Sequence, residues 1–236
     1  MIYSPSQTET YLFCPMKRAL HYQDGWETRV VSKRDLGGAL GTAFAAGMAS
    51  YNLARREEQR GTPQSRPDVI SQAKEAAQHS VKATLEDWST RGRIVRDYDM
   101  AQRDALEPRA IRAVEKAIQQ DPLPPEWRIL DVELTLPDAG NARIDLGLHD
   151  GAGPFPVDYK LKLTLDQRYR QKELERLARS WQMFHYCWGY HGYLTSPDKL
   201  DVYQAAPPPI LRYGIILAVL EPRFSIEYIP FGVSEE

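Results

Sequence analysis

Acidic residues and one lysine recur at strand-like positions in the second half of the chain. Asp158 and Lys160 are two residues apart in Val157-Asp158-Tyr159-Lys160, so the alternation of side chains along a strand predicts that both point to one face. Asp145 and Glu133, each in an earlier segment, alternate with apolar residues in the same way. Carboxylate oxygens are the ligands that hard divalent cations prefer, with positions left for water and phosphate. The spacing therefore predicts a metal-binding site on adjacent strands.

Five strands are predicted to carry or flank this site. They cover residues 129–136, 142–149, 157–161, 201–205 and 211–219. Turn residues at 137–141 predict a hairpin between the first two strands. Pro154 and Pro156 are expected to keep the start of the third strand out of regular pairing.

Helical patterns precede and interrupt these strands. They cover residues 6–22, 36–60, 67–88, 97–120 and 165–190. Pro108 is expected to kink or split the fourth of them. The order predicts an α/β fold with a mixed central β-sheet flanked by helices and a helical N-terminal region. A single domain over 1–236 is expected, mainly helical in 1–125 and with the sheet core and metal site in 126–236.

Four segments, in this order, resemble the RecB-type branch of the PD-(D/E)XK nuclease superfamily, which includes phage exonucleases and CRISPR-adaptation nucleases. The resemblance implies a restriction-endonuclease-like core. It rests on Ser4-Pro5-Ser6 with Tyr11 to Pro15, on Gly41-Thr42-Ala43-Phe44, on Glu133 with Asp145 and Asp158-Tyr159-Lys160, and on Gln182 to Tyr186.

The resemblance also implies roles for the residues of the metal site. Asp145, Asp158 and the Tyr159 carbonyl would bind Mg²⁺ or Mn²⁺, and Glu133 would act through water or hold a second metal. Lys160 would orient the attacking water or stabilise the charge on the phosphate. An alternative stays open for each: Glu133 as a solvated acid, Asp145 as a residue flanking a turn, and Asp158 with Lys160 as an ordinary ion pair.

Gln182 and Tyr186 lie four residues apart, so a helix presents both on one face. In the resembling nucleases this helix adjoins the metal site. Gln182 is expected to bond a carboxylate of the site, a bound water or the DNA backbone. Tyr186 is equally well interpreted as a core residue.

Two features depart from the resembling nucleases. Ala45 stands where that branch usually presents a metal-binding histidine, so the chain is either a natural variant or a protein altered to stop cleavage. The iron–sulfur members need four cysteines, whereas this chain has only Cys14 and Cys187. No iron–sulfur cluster is therefore expected.

The net charge of −2 means that DNA binding would need a local basic patch. Residues 160–179 carry an excess of +4 beside the proposed site. A solvated helix face is the alternative interpretation. The residues of this segment that are candidates for DNA contact are Lys162, Arg168, Arg170 and Lys172.

These features predict an Mg²⁺- or Mn²⁺-dependent deoxyribonuclease. By resemblance, we expect an exonuclease of recombination, repair or phage DNA processing, with DNA and a recombination protein as partners. The alternatives are a DNA-binding protein that has lost cleavage with the histidine, and an interaction platform. The longest apolar run, 215–220, is too short to span a bilayer, so a cytoplasmic location in a bacterial or phage-infected cell is expected.

Overall fold

The computed structural model describes residues 30–136, 142–196 and 212–232. The predicted helix at 6–22, hairpin turn at 137–141 and strand at 201–205 lie outside these residues. The described helices are α1 (Lys33–Gln59), α2 (Arg66–Thr90), α3 (Asp97–Asp104), α4 (Leu106–Gln119), α5 (Gln167–Ala178) and α6 (Trp181–Leu194). The described strands are β1 (Val30–Val31), β2 (Ile94–Val95), β3 (Arg128–Leu136), β4 (Ala142–His149), β5 (Pro154–Thr164), β6 (Arg212–Glu221) and β7 (Ser225–Gly232).

The main sheet has the order β3-β4-β5-β6-β7. Strands β5 and β6 pair in parallel, and the other neighbours pair antiparallel. Helices α5 and α6 lie in sequence between β5 and β6, as a parallel connection requires. The prediction of a mixed sheet flanked by helices is confirmed. The pair β1–β2 forms a separate two-stranded parallel sheet.

Two apolar layers cover the two faces of the main sheet. One joins α1, α2 and α4 to side chains such as Leu146, Val157 and Ile216. The other joins α6 to side chains such as Ile144 and Ile215. Because Ile215 and Ile216 are consecutive in β6, their side chains point to opposite faces, and each layer receives one of them.

Close helix packing in the first layer depends on a glycine. A Cβ atom at Gly47 in α1 would lie 2.4 Å from Val114 Cγ2 and 2.9 Å from the Ala73 carbonyl oxygen. Neither distance is possible for a real side chain, so Gly47 lets α1 approach α4 and α2. Ser32 starts α1 with a reciprocal cap, because its hydroxyl accepts from the Asp35 backbone N–H and the Asp35 carboxylate accepts from the Ser32 N–H.

The helix predicted at 97–120 is two helices, but Pro108 does not divide them. The break falls at Ala105, and Pro108 lies in the first turn of α4. The first-turn N–H groups of a helix have no partner inside the helix, so a proline there removes no hydrogen bond.

The prediction of one long helix at 165–190 was wrong. The chain forms α5 and α6, with Arg179 and Ser180 between them. Ser180 stops the helical pattern because its hydroxyl accepts from the Gln182 backbone N–H at 3.2 Å and so starts α6 as an N-cap. The apolar periodicity runs through this break, which is why the sequence pattern hid it.

The expectation that Pro154 and Pro156 stay outside regular pairing was also wrong. Both belong to β5 and pair with β4, opposite His149 and Gly147. Pairing with β6 begins only at Val157, so the prolines need hydrogen-bond partners on one side only. Strand β7 was not predicted, although Ile226 and Tyr228 show the alternation of a half-buried strand.

Candidate active site

Along β3 and β4, the apolar side chains switch from one face of the sheet to the other at the position of two acidic residues. Val132 pairs with Leu146 and Leu134 pairs with Ile144, which leaves Glu133 and Asp145 between the two pairs. Val132 and Leu146 pack in the first apolar layer, whereas Leu134 and Ile144 pack in the second. In a regular strand, residues two apart share a face, so the uniform alternation expected from the sequence fails here.

Glu133 has the backbone conformation that produces this change. Its φ is +53°, in the left-handed region that residues other than glycine rarely adopt. Such an irregularity bends a strand and re-aims the neighbouring side chains. The kink thus turns what the sequence presents as a solvent-facing acid into a half-buried one.

Asp145 bridges β4 and β5 beyond the point where their backbones pair. The register of the two strands runs from His149 with Pro154 to Leu146 with Val157. The next contact is a side-chain one, in which the Tyr159 backbone N–H donates to Asp145 Oδ2 at 2.8 Å. The carboxylate therefore takes the place of a strand partner and is held against the segment that carries Asp158 and Lys160.

Asp158 and Lys160 face the same side of β5, as predicted. Asp158 is 3% exposed, and Lys160 Nζ lies 2.6 Å from its Oδ2. The ammonium thus compensates the charge of a carboxylate that would be costly to bury alone.

Lys160 links the strand to the second helical layer. Its ammonium donates to Gln182 Oε1 at 3.2 Å, and Gln182 Nε2 donates to the Tyr186 hydroxyl oxygen at 2.5 Å. Tyr186 is buried in the second apolar layer. The structure thus brings the predicted Gln182 and Tyr186 to the same site as Lys160 and Asp158.

Burial raises the pKa values of the acids in this cluster, and for Asp145 the neighbouring carboxylates raise it further. Burial, followed by the Asp158 charge, raises the pKa of Asp145 to about 7. Burial also raises the pKa of Asp158, against the opposing effect of Lys160, and that of Glu133, against the opposing effect of Arg143. Burial and the charges of Asp158 and Asp145 raise the pKa of Tyr186 as well. A site that concentrates negative charge in this way favours a bound cation.

The other face of β5 anchors the site from behind. Asn52 Nδ2 on α1 donates to the Tyr159 hydroxyl oxygen at 2.8 Å, and the Phe44 ring meets the Tyr159 ring edge-on at 5.8 Å. Asn52 was not singled out from the sequence. A polar residue on the otherwise apolar face of a helix is the only sequence signal that marks it.

A second anchor joins α6 to β3. The Tyr190 hydroxyl donates to Asp131 Oδ2 at 2.9 Å, and both residues are buried. Gly147 in β4 makes room for it, since a Cβ atom there would lie 2.3 Å from the Tyr190 hydroxyl oxygen. Tyr190 follows Tyr186 by one helical turn, so this bond also positions the part of α6 that reaches Lys160.

Ala45, the position of the missing histidine, lies on α1 beside Phe44 and is half-buried. Phe44 contacts the Tyr159 ring, so this stretch of α1 packs behind the segment that carries the acids. The metal-facing role of position 45 stays a prediction.

The basic residues of the 160–179 segment are largely engaged in ion pairs. Lys162 pairs with Glu173 at 2.6 Å, and Arg168 pairs with Asp166 at 2.6 Å. Arg170 pairs at 2.6 Å with Glu227 of β7, an acid far away in sequence. Lys172 makes no ion pair with the residues that the structure describes. Because Asp166 and Glu173 are already counted in the +4 excess, only the pair of Arg170 with Glu227 lowers the positive charge of the segment further.

Three further observations limit the chemistry of the described residues. Within residues 30–136, 142–196 and 212–232, no group of three or more His, Cys, Asp or Glu side chains is arranged to hold a metal. Burial raises the pKa of the Cys187 thiol to about 12, so it is a poor nucleophile or ligand at neutral pH. Cys14 lies outside the described part. Among the described helices, none is long and apolar enough to cross a membrane.

Comparison with known families identifies the superfamily of the chain. The family model of the PD-(D/E)XK nuclease superfamily matches residues 2–207, and the chain belongs to that superfamily. Its mixed five-stranded sheet between helical layers is the restriction-endonuclease-like fold. No match was found among curated proteins, and none was found among solved structures.

Nucleases of this superfamily typically use a divalent metal ion. The residues of the site fit such an ion, because a half-buried and a buried carboxylate with raised pKa values act on one another there. The donors are hard oxygens, which suit Mg²⁺ or Mn²⁺. The pair is smaller than a complete protein ligand set, as is usual for Mg²⁺ sites that keep several waters.

Proposed function

We propose that the chain is a metal-dependent deoxyribonuclease of the RecB-type branch. The observation that carries this proposal is the convergence of Asp145, Asp158 and Lys160 at the point where β4 and β5 part. A structural ion pair of Asp158 with Lys160 alone would give no reason for a second, half-buried carboxylate, that of Asp145, to lie close to them. The same convergence supports our proposal that residues 1–236 form a single nuclease domain.

Asp145 and Asp158, with the Tyr159 carbonyl, would hold Mg²⁺ or Mn²⁺. When bound, the metal supplies an activated water and neutralises charge on the phosphate. The Tyr159 N–H fixes the Asp145 carboxylate, and the Asn52 hydrogen bond fixes Tyr159 from behind. Glu133 lies opposite Asp145 and would contribute through a water or a second ion.

Lys160 is the cation that serves the reaction itself. Its ammonium lies between Asp158 Oδ2 and Gln182 Oε1, which orient it on the site side of β5. A lysine in this place stabilises the negative charge that develops on the phosphate or orients the attacking water. Gln182 of α6 accepts a hydrogen bond from Lys160 and donates one to Tyr186. Both residues therefore help to position the ammonium.

We also propose that DNA is the substrate and that Lys162, Arg168, Arg170 and Lys172 contact its backbone. Lys172 is the best candidate, because it is exposed and makes no ion pair with the described residues. Backbone contacts of this kind are independent of sequence and sensitive to salt. We propose an exonuclease role in recombination, repair or phage DNA processing, which rests on the resemblance to the branch.

A DNA-binding protein without cleavage is the second candidate, and Ala45 is the observation that favours it. A methyl group cannot coordinate a metal, so the site has one protein ligand fewer than the resembling nucleases. The nuclease and the DNA-binding protein would share the fold and the acidic residues. They would differ only in whether the protein cleaves DNA.

The test is digestion of supercoiled plasmid and end-labelled linear DNA with Mg²⁺, Mn²⁺ or EDTA. Asp158→Ala and Lys160→Ala should each reduce divalent-dependent cleavage by about a hundredfold or more. Lys82→Ala and Glu126→Ala, which change exposed residues away from the site, serve as controls for charge. Cleavage by the variants at the wild-type rate would refute the site. Metal-independent DNA binding without any cleavage would select the second candidate.

A further inference from the structure

An arginine that the nuclease site does not use lies at its edge. Arg143 is on β4, two residues before Asp145, and its Nε lies 2.8 Å from Glu133 Oε2. Its side chain is 58% exposed, whereas that of Glu133 is 27% exposed. Glu133 thus pairs with the Nε side of the guanidinium, which we call its inner edge. The Nη groups form the outer edge, on the exposed side.

The outer edge of Arg143 offers hydrogen-bond donors that no described residue accepts from. A guanidinium has five N–H groups in a fixed plane. In the described part of the chain, neither Nη atom of Arg143 donates a hydrogen bond, so the Nη groups remain available. Arg168, by contrast, is turned onto the carboxylate of Asp166 through three contacts, and Arg170 binds Glu227 through two.

The charge of Arg143 acts on the site side of the sheet. It lowers the pKa of Glu133 and of Tyr186 against the effects that raise them. Tyr186 is the residue that contacts Gln182, which in turn contacts Lys160. Arg143 and Lys160 are therefore both cations whose charges act on groups of the site.

A phosphate is the ligand that fits this arrangement. A planar guanidinium with two donors facing outward binds phosphate oxygens in a bidentate manner, which a lysine cannot do. The acids would repel a phosphate at any position without such a cation. Glu133 keeps the guanidinium in plane and oriented, so little conformational entropy is lost when it binds.

We propose that Arg143 binds a backbone phosphate of DNA next to the one that is cleaved, with Glu133 as its positioning residue. The inference rests on the proposed nuclease function, but it concerns binding and not turnover. It assigns to Arg143 a contact that the paired arginines of the 160–179 segment are less free to make.

The test measures binding in EDTA, where no cleavage occurs. Fluorescence anisotropy of a short labelled duplex is followed from low to high salt for wild type, Arg143→Ala, Arg143→Lys and Glu133→Gln. Arg143→Ala should weaken binding about fivefold to tenfold and reduce the slope of log K against log salt by about 1. Arg143→Lys should keep the slope but recover only part of the affinity. Arg128→Ala, which removes an exposed arginine at the start of β3, should change neither.

The alternative is that Arg143 only neutralises Glu133. In that case the double variant Arg143→Ala with Glu133→Gln would bind DNA as tightly as wild type and with the same salt slope, which would overturn the inference. Cleavage with Mn²⁺ is measured in parallel. A smaller salt slope for Arg143→Ala, in a protein that never cleaves DNA, would support the Arg143 contact and refute the nuclease function. A wild-type protein that binds no DNA would refute both.

Discussion

At the scale of single residues, the placement of Asp145 costs stability. Its carboxylate is half-buried close to Asp158, and desolvation together with that charge raises its pKa to about 7. A raised pKa for an acid means that the folded state disfavours the charged form. Above this pKa, the ionised pair therefore costs folding free energy that a bound cation would recover.

We predict that Asp145→Asn stabilises the metal-free protein while it abolishes cleavage. Asparagine keeps the acceptor for the Tyr159 N–H and removes the charge, so the free energy of unfolding in EDTA at pH 8 should rise by about 2 kcal/mol. The difference should shrink as the pH falls from 7 toward 4, because the wild-type carboxyl is then protonated in the folded state. Urea unfolding across this pH range measures it, and an Asn variant less stable at pH 8 would contradict the repulsion.

A second prediction at this scale concerns Ala45. An imidazole is a good ligand for Mn²⁺, so Ala45→His should tighten Mn²⁺ binding if this position faces the metal. Cleavage should also rise if the alanine is what limits turnover. Calorimetric titration compares this variant with Ala46→His, a half-buried neighbour on the same helix. Equal affinity in wild type and Ala45→His would mean that position 45 points elsewhere.

At the scale of elements, the site depends on a strand irregularity and on the docking of two helices. The kink at Glu133 and Asp145 turns acids of adjacent strands toward one another, and α6 supplies Gln182 and Tyr186. Helix α5 is held differently, through ion pairs at its surface. Glu173 pairs with Lys162 of β5 at 2.6 Å and with Arg176 of its own helix at 2.8 Å.

These ion pairs predict how stability depends on acid. Hydrogen bonding to Arg176, followed by that to Lys162, lowers the pKa of Glu173 to about 2. For an acid with a lowered pKa, the stabilisation is complete above the unfolded value near 4.5 and is lost as the pH falls toward 2. Glu173→Gln should therefore cost about 1 kcal/mol at pH 7, a discounted figure because Arg176 is more than half exposed.

The difference between wild type and Glu173→Gln should disappear between pH 4.5 and pH 2. Unfolding by urea at several pH values tests this. Glu126→Gln, which changes an exposed acid that makes no ion pair with the described residues, is the control. A difference that persists unchanged at pH 2 would show that Glu173 contributes through packing and not through its charge.

At the scale of the whole molecule, the helical layer of α1, α2 and α4 supports the sheet from behind. Its closest helix contact lies at Gly47. Replacing Gly47 with alanine would push a methyl group against Val114 and the Ala73 carbonyl, so we predict a loss of about 1–3 kcal/mol in unfolding free energy. The site itself should keep its rate at permissive temperature, because its residues lie on the sheet and α6.

Gly41→Ala is the matched control in the same helix. Nothing lies within 4 Å of a Cβ atom at Gly41, so alanine there should stabilise by about 0.5–1 kcal/mol through its higher helix propensity. Thermal unfolding of both variants measures the pair. Equal effects of the two substitutions would refute the close approach at Gly47.

Much of the fold followed from the sequence because its signals are local. Alternation of apolar residues located β3, β4 and β6, and 3.6-residue periodicity located α1 and α2, to within a few residues at each end. The sequence predictions were wrong where the local pattern of residues and the tertiary structure disagree. The break at Ser180 was hidden by continuous apolar periodicity, and Pro154 and Pro156 were tolerated because β6 begins to pair only at Val157.

The sequence by itself determined which residue types the candidate site would have. Asp158 and Lys160 were marked by strand alternation, and Glu133 and Asp145 by their alternation with apolar residues. Gln182 and Tyr186 were marked by the resemblance to the RecB-type branch. Their assignment to catalysis and metal binding remains a prediction.

Only the tertiary structure decided how these residues meet. The +53° φ of Glu133, the Tyr159 N–H bond to Asp145 and the exposed outer edge of Arg143 depend on where two strands separate, which no local pattern encodes. The pairing of Arg170 with Glu227 likewise joins residues far apart in sequence. Contacts across a sheet are set by the packing of the whole chain. For this reason the candidate residues of the site could be named from the sequence, whereas their geometry could not.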